Sequence, residues 1–173
     1  MANYIPITTV TVGSGGAASI SFSSIPAIYT DLIVKASART DTANNVQNLY
    51  VEFNGSGGTA YSSRTIYALN TGTPASTLAS ADSKIQYAGY ASGANSTANT
   101  FANFEFYIPD YTSTNYKNTL ADVVTENNSV NTILLLSAGL WSSTSAINAV
   151  KITPAAGNFV QHSTATLYGI RKY

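Results

Sequence analysis

The chain contains no cysteine and very few charged residues. Among its 173 residues, eight are lysine or arginine, eight are aspartate or glutamate and one is histidine, so the formal net charge at pH 7 is zero. The absence of cysteine excludes disulfides, thiolate metal ligands and cysteine nucleophiles. Charged residues make up 9% of the chain, against about a quarter in an average protein. The basic residues are scattered, which excludes the cationic surface that nucleic acids and anionic lipids require.

Long hydrophobic runs are also missing. The opening sequence MANYIPITTV lacks the basic flank and the apolar segment of a signal peptide, and no later run has the length of a transmembrane helix. We therefore expect neither ordinary secretion nor contact with a membrane. A surface with so little charge is poorly protected against self-association. This predicts that the chain works within an assembly.

Alternation of apolar and polar residues replaces helical periodicity throughout the chain. The segment 101–141 is the most informative. It contains three strand-like runs separated by turn sequences, at 101–108, 116–125 and 132–140. In the first run every second residue is apolar, which predicts a half-buried strand. The third run includes the sequence ILLL at 133–136 and is apolar on both faces, which predicts a strand near the middle of a sandwich. Trp141, at its end, is predicted to be a core or sandwich-end anchor.

The rest of the chain repeats this strand pattern at roughly even spacing. Further strands are predicted at 4–12, 18–22, 30–39, 46–53, 61–69, 85–90, 146–153 and 163–170, with an irregular segment at 70–83. About ten short strands joined by glycine, proline or asparagine turns indicate an all-β protein. We predict an antiparallel β-sandwich, jelly-roll-like, in a single domain that spans residues 1–173.

No pattern in the sequence predicts a catalytic, cofactor-binding or metal-binding site. A glycosidase needs two carboxylates facing each other across a cleft, but the eight carboxylates here lie at strand-face or turn positions where a solvated group is expected. The single histidine, His162, cannot form a multi-histidine metal site, and no Gly-x-Ser-x-Gly motif occurs. The glycine-rich run at 13–16 lacks the lysine and the following helix of a phosphate loop. We therefore expect a protein that is not an enzyme.

Tyrosine is the one over-represented side chain that suggests a contact surface, with twelve copies. Tyrosine rings near loops can stack on sugars or fill the pockets of a partner protein. The candidate contact residues are Tyr87, Tyr90, Asn95, Asn99, Tyr111 and Tyr116. Tyrosine is also a common strand residue with a wettable end, so packing is the alternative for each single ring.

Several segments resemble a group of small proteins that tailed bacteriophages encode among their structural genes. The similar segments are 22–26 (FSSIP), 29–32 (YTDL), 107–112 (YIPDYT), 115–117 (NYK), 125–128 (TENN), 138–141 (AGLW), 152–154 (ITP), 157–159 (GNF) and 163–170 (STATLYGI). The last of these is the most specific. Together the segments are distributed along the chain from residue 22 to residue 170.

The resemblance implies a non-enzymatic virion protein without a cofactor, made in the cytoplasm of the bacterial host. The chain lacks the long coiled coil or repetitive shaft of a complete fibre, which favours a capsid decoration (cement) or head-spike protein. It would dock on the major capsid protein as a small homo-oligomer, with a trimer as the expected form. The alternative is a tail or fibre-tip module that contacts other tail proteins and binds host-surface glycan. A small polysaccharide depolymerase is a third hypothesis, which the few dispersed carboxylates disfavour.

Overall fold

A computed structural model describes residues 3–69, 72–128 and 131–171. Twelve strands form in these residues: β1 (Asn3–Thr11), β2 (Ile20–Phe22), β3 (Asp31–Ala38), β4 (Val46–Phe53), β5 (Tyr61–Leu69), β6 (Ala75–Asp82), β7 (Ile85–Ser92), β8 (Ala102–Ile108), β9 (Lys117–Thr125), β10 (Ile133–Trp141), β11 (Val150–Pro154) and β12 (Thr164–Arg171). Within these ranges there is no helix long and apolar enough to cross a membrane. The all-β prediction is confirmed.

The strands form two antiparallel sheets that pack face to face. The larger sheet has eight strands in the order β1-β12-β3-β8-β9-β10-β5-β6, and the smaller has four in the order β2-β11-β4-β7. Strands β1, β3, β8 and β12 of the larger sheet are linked along the chain to β2, β4, β7 and β11 of the smaller one. The chain thus crosses repeatedly between the sheets, which is the jelly-roll path. The predicted jelly-roll-like sandwich is confirmed.

Two additional hairpins make the larger sheet twice as wide as the smaller one. The pairs β5–β6 and β9–β10 are inserted into the jelly roll and continue the larger sheet beyond β8. Strand β7 is the edge of the smaller sheet and packs across β8, β9, β10 and β5. One face of the larger sheet is therefore the core, and no other part of the described chain covers its opposite face.

The core is one cluster of side chains from the facing sides of both sheets. Alternation along each strand places every second side chain in this cluster, as the burial of β9 and β10 shows. Its aromatic centre is Phe53, whose ring centre lies 5.5 Å from that of Trp141, 6.2 Å from that of Tyr61 and 6.3 Å from that of Phe106. Trp141 is buried, which confirms it as a core anchor.

Three strand predictions need correction. The strand predicted at 146–153 begins later, as β11 (Val150–Pro154). The segment 70–83 was expected to be irregular, but β6 occupies Ala75–Asp82 and pairs with β5; residues 70–71 lie outside the described residues. The sequence of β6, ASTLASAD, is too rich in small residues to show clear alternation, and its partner strand holds it extended. The ILLL run of β10 predicts a strand near the middle of the sandwich. It lies inside the sheet, but the side chains of Leu134 and Leu136 are 58% and 46% exposed.

Candidate functional site

The six predicted contact residues do not form one site. Tyr87 and Tyr90 lie on β7, while Asn95 and Asn99 lie in the loop before β8. Tyr111 and Tyr116 lie in the connection after β8, and seven residues of strand separate the two loops by about 20 Å. Among the six candidates, only those that are close along the chain are therefore close in the structure.

Tyr111 is a structural residue, so its prediction as a contact residue is wrong. Its side chain is 0% exposed. The Tyr111 hydroxyl donates a hydrogen bond to the carbonyl oxygen of Pro26 and accepts one from the backbone N–H of Tyr29 at 3.4 Å. Burial raises the pKa of Tyr111. Tyr116, by contrast, is 59% exposed and remains available for contact.

The loop that carries Asn95 and Asn99 is held in place by Arg39. The Arg39 guanidinium donates hydrogen bonds of 2.9 to 3.3 Å to four backbone carbonyls of this loop, those of Ala94, Ser96, Thr97 and Thr100. The Asn95 side chain is itself engaged, because its Nδ2 donates to the carbonyl oxygen of Ala43 at 3.0 Å. Asn99 is exposed and has a left-handed backbone with a φ of 64°. Asn99 is therefore exposed on a loop whose backbone is held by hydrogen bonds.

A group of half-buried tyrosines lies where the smaller sheet ends. Tyr87 has a φ of 55° within β7, at the point where the β4–β7 register shifts; such a backbone is strained for an aromatic residue. Burial, reinforced by the neighbouring hydroxyls of Tyr87, Tyr67 and Tyr50, raises the pKa of Tyr90. The ammonium of Lys84 lies 4.5 Å from the centre of the Tyr50 ring. We call Tyr50, Tyr67, Tyr87 and Tyr90 the tyrosine cluster.

The uncovered side of the larger sheet, here called the outer face, carries the most unusual surface of the chain. Six aliphatic side chains on it are each between 44% and 59% exposed: Ile66, Leu78, Leu120, Val124, Leu134 and Leu136. The strand registers make them neighbours, since Leu134 lies beside Val124 and Leu136 lies beside Ile66. Soluble monomers rarely expose a contiguous apolar surface of this kind. The outer face is therefore a candidate contact surface.

Sequence analysis missed the outer face although its signal was visible. The ILLL run in β10 supplies Leu134 and Leu136, and shallow depressions beside them are lined by Ile66 and Asp122. An apolar run on both faces of a strand predicts a position near the middle of a sandwich, but it does not say whether both faces are covered. In this sheet it marks one face in the core and one face free.

The charges on the outer face are few and unevenly paired. The ammonium of Lys35 lies 2.7 Å from the carboxylate of Glu105, and both side chains are about half exposed. Asp122 lies directly across from Glu105 in the β8–β9 ladder, where a like charge is destabilising. Arg64 lies on the other side of β10. Within the described ranges, neither Arg64 nor Asp122 forms an ion pair.

The described residues contain no group of three or more histidine, aspartate and glutamate side chains that could hold a metal ion. The surface does offer recognition by apolar, aromatic and hydrogen-bonding contacts. Two surfaces offer it: the outer face and the tyrosine cluster.

Comparison with known proteins assigns the chain to no family. No protein-family model matches the sequence, and no curated protein matches it. Among solved structures, it is similar to the galectin LEC-6 of Caenorhabditis elegans, with a TM-score of 0.36 and 4% identity, over 95% of this chain and 96% of the galectin. It is also similar to arcelin-5, a lectin-like defense protein from Phaseolus vulgaris, with a TM-score of 0.20 and 6% identity, over 99% of this chain and 92% of arcelin-5. Likenesses this distant carry no information about function.

Proposed function

We propose that this chain is a structural protein of a bacteriophage virion that decorates the capsid shell. The observation that carries the proposal is the outer face, six exposed aliphatic side chains on a chain with zero net charge. Such a surface suits a protein that is buried in an assembly. The phage-like segments of the sequence and the jelly-roll path, which is used by many capsid proteins, agree with this function by association.

The proposed mechanism is the addition of protein–protein interface to the shell. A stable contact of standard size buries about 1,600 Å² of surface. Repeated over a lattice as a small oligomer docked on the major capsid protein, such contacts would resist the outward pressure of the packed genome. This role needs no catalytic group, cofactor or metal ion.

Cryo-electron microscopy of the phage particle whose genome encodes this chain tests the proposal. We expect density for the jelly roll at a regular lattice position on the head. We also expect particles that lack the chain to release their genome at a temperature several degrees lower, with the difference restored by adding the purified protein. Density found only on the tail, or no density at all, would contradict the decoration role.

The tyrosine cluster supports a second candidate function, binding of host-surface carbohydrate by a tail or fibre-tip module. Sugars stack on aromatic rings, and strained residues such as Tyr87 concentrate at functional sites. Half-buried rings flanked by Lys84 and by Gln86, whose Nε2 donates to Asp82 at 2.8 Å, combine stacking with polar groups.

A glycan array tests this second function. We expect saturable binding that falls at least tenfold in the Tyr87→Ala and Tyr90→Ala variants, because each loses a stacking ring. The matched control is Tyr116→Ala, which removes an exposed ring in the loop after β8 and should bind like the unmodified protein. Equal binding by all variants, or none by any, would rule out the cluster as a glycan site.

A further inference from the structure

From the outer face we infer that this surface binds a second copy of the chain around a two-fold axis that runs along β10. The inference rests on the proposed function in one respect, that the outer face is a protein–protein contact. It goes further by naming the partner and the geometry. The contacts that carry it are the apolar centre on β10 and the two unpaired charges on either side of it.

The apolar centre extends to both sides of β10. Leu134 and Leu136 project from β10 itself, Ile66 projects from β5 on one side, and Leu120 and Val124 project from β9 on the other. Two copies placed face to face with β10 on β10 would cover all of these side chains. Sheets packed in this way lie about 10 Å apart, with their strands crossing at about 30°.

The charges decide between the two symmetric ways of pairing the faces. Arg64 is level with Ala138 on one side of β10, and Asp122 is level with Leu136 on the other side, which puts the two about 12 Å apart within one chain. A two-fold axis along β10 places β5 of each copy on β9 of the other. Arg64 then lies about 7 Å along the strand from the partner's Asp122, within reach of its guanidinium, and this pair occurs twice.

The other symmetric arrangement is disfavoured by the same two residues. A two-fold axis across the strands places β5 on β5 and β9 on β9, so that Arg64 approaches the partner's Arg64 and Asp122 approaches the partner's Asp122. Like charges brought together in a contact that excludes water are destabilising. Asp122 and Glu105 lie opposite each other, and Lys35 neutralises only one of their two negative charges. A cation from a second copy would neutralise the other.

The size of the outer face fits a dimer. Five strands, from β8 to β6, at a spacing of about 4.8 Å and a length of about 25 Å give roughly 600 Å² of flat area on each copy. The total of about 1,200 Å² is at the lower end of the range for stable interfaces. Covering it would remove from solvent the apolar surface that the single chain leaves exposed.

Sedimentation equilibrium of the purified full chain tests the inference. We expect a concentration-dependent mass that reaches twice the 18.1 kDa of one chain. Leu134→Asp should raise the dissociation constant by about a hundredfold, because it places a carboxylate at the centre of the interface. The matched control is Ile28→Asp, since Ile28 is 59% exposed and Leu134 is 58% exposed, but Ile28 lies in the loop before β3. This control should dimerise like the unmodified chain.

A charge exchange tests the axis and does not depend on the leucine variant folding. Arg64→Asp and Asp122→Arg should each weaken the dimer by about tenfold, and the double variant should restore it. A monomer at all concentrations, a trimer, equal effects of Leu134→Asp and Ile28→Asp, or a double variant as weak as the single ones would overturn the inference. If the chain is monomeric but still decorates the head, the dimer is wrong and the proposed function stands. If the chain dimerises but is absent from particles, the dimer stands and the proposed function is wrong.

Discussion

Replacing Phe53 with alanine should lower the free energy of unfolding by about 4 kcal/mol. The side chain is fully buried, and its ring contacts aromatic rings from three other strands. The change therefore removes transfer free energy and ring–ring contacts together. The rings of Tyr61 and Trp141 are stacked on each other at 6.2 Å and cannot collapse into the cavity without separating. The fluorescence of Trp141, the only tryptophan, reports unfolding in urea directly beside the mutated site.

The matched control is Phe101→Ala. Phe101 is only half-buried and precedes β8, so the same chemical change should cost less than about 1.5 kcal/mol. Both variants are compared at one protein concentration, since dimerisation would otherwise add to the measured stability. A loss below about 2 kcal/mol for Phe53→Ala, or equal losses for both, would show that the aromatic centre repacks freely.

The strands could be predicted from the sequence because their alternation is local. Every second residue of β4, β8 and β9 is buried. An alternation of apolar and polar residues in the sequence predicts this burial pattern directly. The order of the strands could not be predicted in the same way. That β5 and β6 continue the larger sheet, while β7 closes the smaller one, depends on contacts between residues far apart along the chain. Strand β6 shows the same limit, because only its pairing with β5 makes it extended.

Two of the segments that carry the resemblance contribute buried packing contacts in this structure. The ring of Tyr29 lies directly on Gly169 of the STATLYGI segment, where a Cβ atom would be 2.3 Å from the ring. The segment TENN supplies Asn127, which is fully buried and donates from Nδ2 to the hydroxyl of Ser96 at 3.1 Å and to the carbonyl oxygen of Asn131 at 3.0 Å. The contacts of these two segments therefore stabilise the fold and do not indicate where a contact surface lies.

The candidate site depended on a fact that the sequence does not contain, namely the unequal width of the two sheets. Apolar residues at Leu134 and Leu136 are equally compatible with a covered and an uncovered strand. The same holds for tyrosines near loops: Tyr111 and Tyr116 look alike in sequence, but only the first has Pro26 and Tyr29 within hydrogen-bonding distance. Residue type predicted what the surface is made of, and strand order determined where it lies.

Raising the pH from 10 to 12 should unfold the protein or remove most of its stability. Among the residues that the structure describes, five tyrosines have a pKa raised above the ordinary value of 10.0, mainly by burial: Tyr50, Tyr61, Tyr90, Tyr107 and Tyr111. A pKa that is higher in the folded chain than in the unfolded one contributes stability that is complete below pH 10. That stability is lost as the pH rises through the folded value. Buried Lys117 has a lowered pKa and changes stability in the opposite direction, but it is a single group.

The contribution of a single tyrosine to this loss of stability at high pH can be measured at Tyr107. Burial and the hydrogen bond that its hydroxyl donates to Asp31 at 2.8 Å raise the pKa of Tyr107 to about 12. Its share of the loss is about 1 kcal/mol after allowance for solvent screening. The Tyr107→Phe variant should lose that much less stability between pH 10 and 12, as measured by urea unfolding together with tyrosinate absorbance. Tyr116→Phe, at an exposed ring, is the control. Complete ionisation of all tyrosines near pH 10 with the fold intact would show that burial does not protect these hydroxyls.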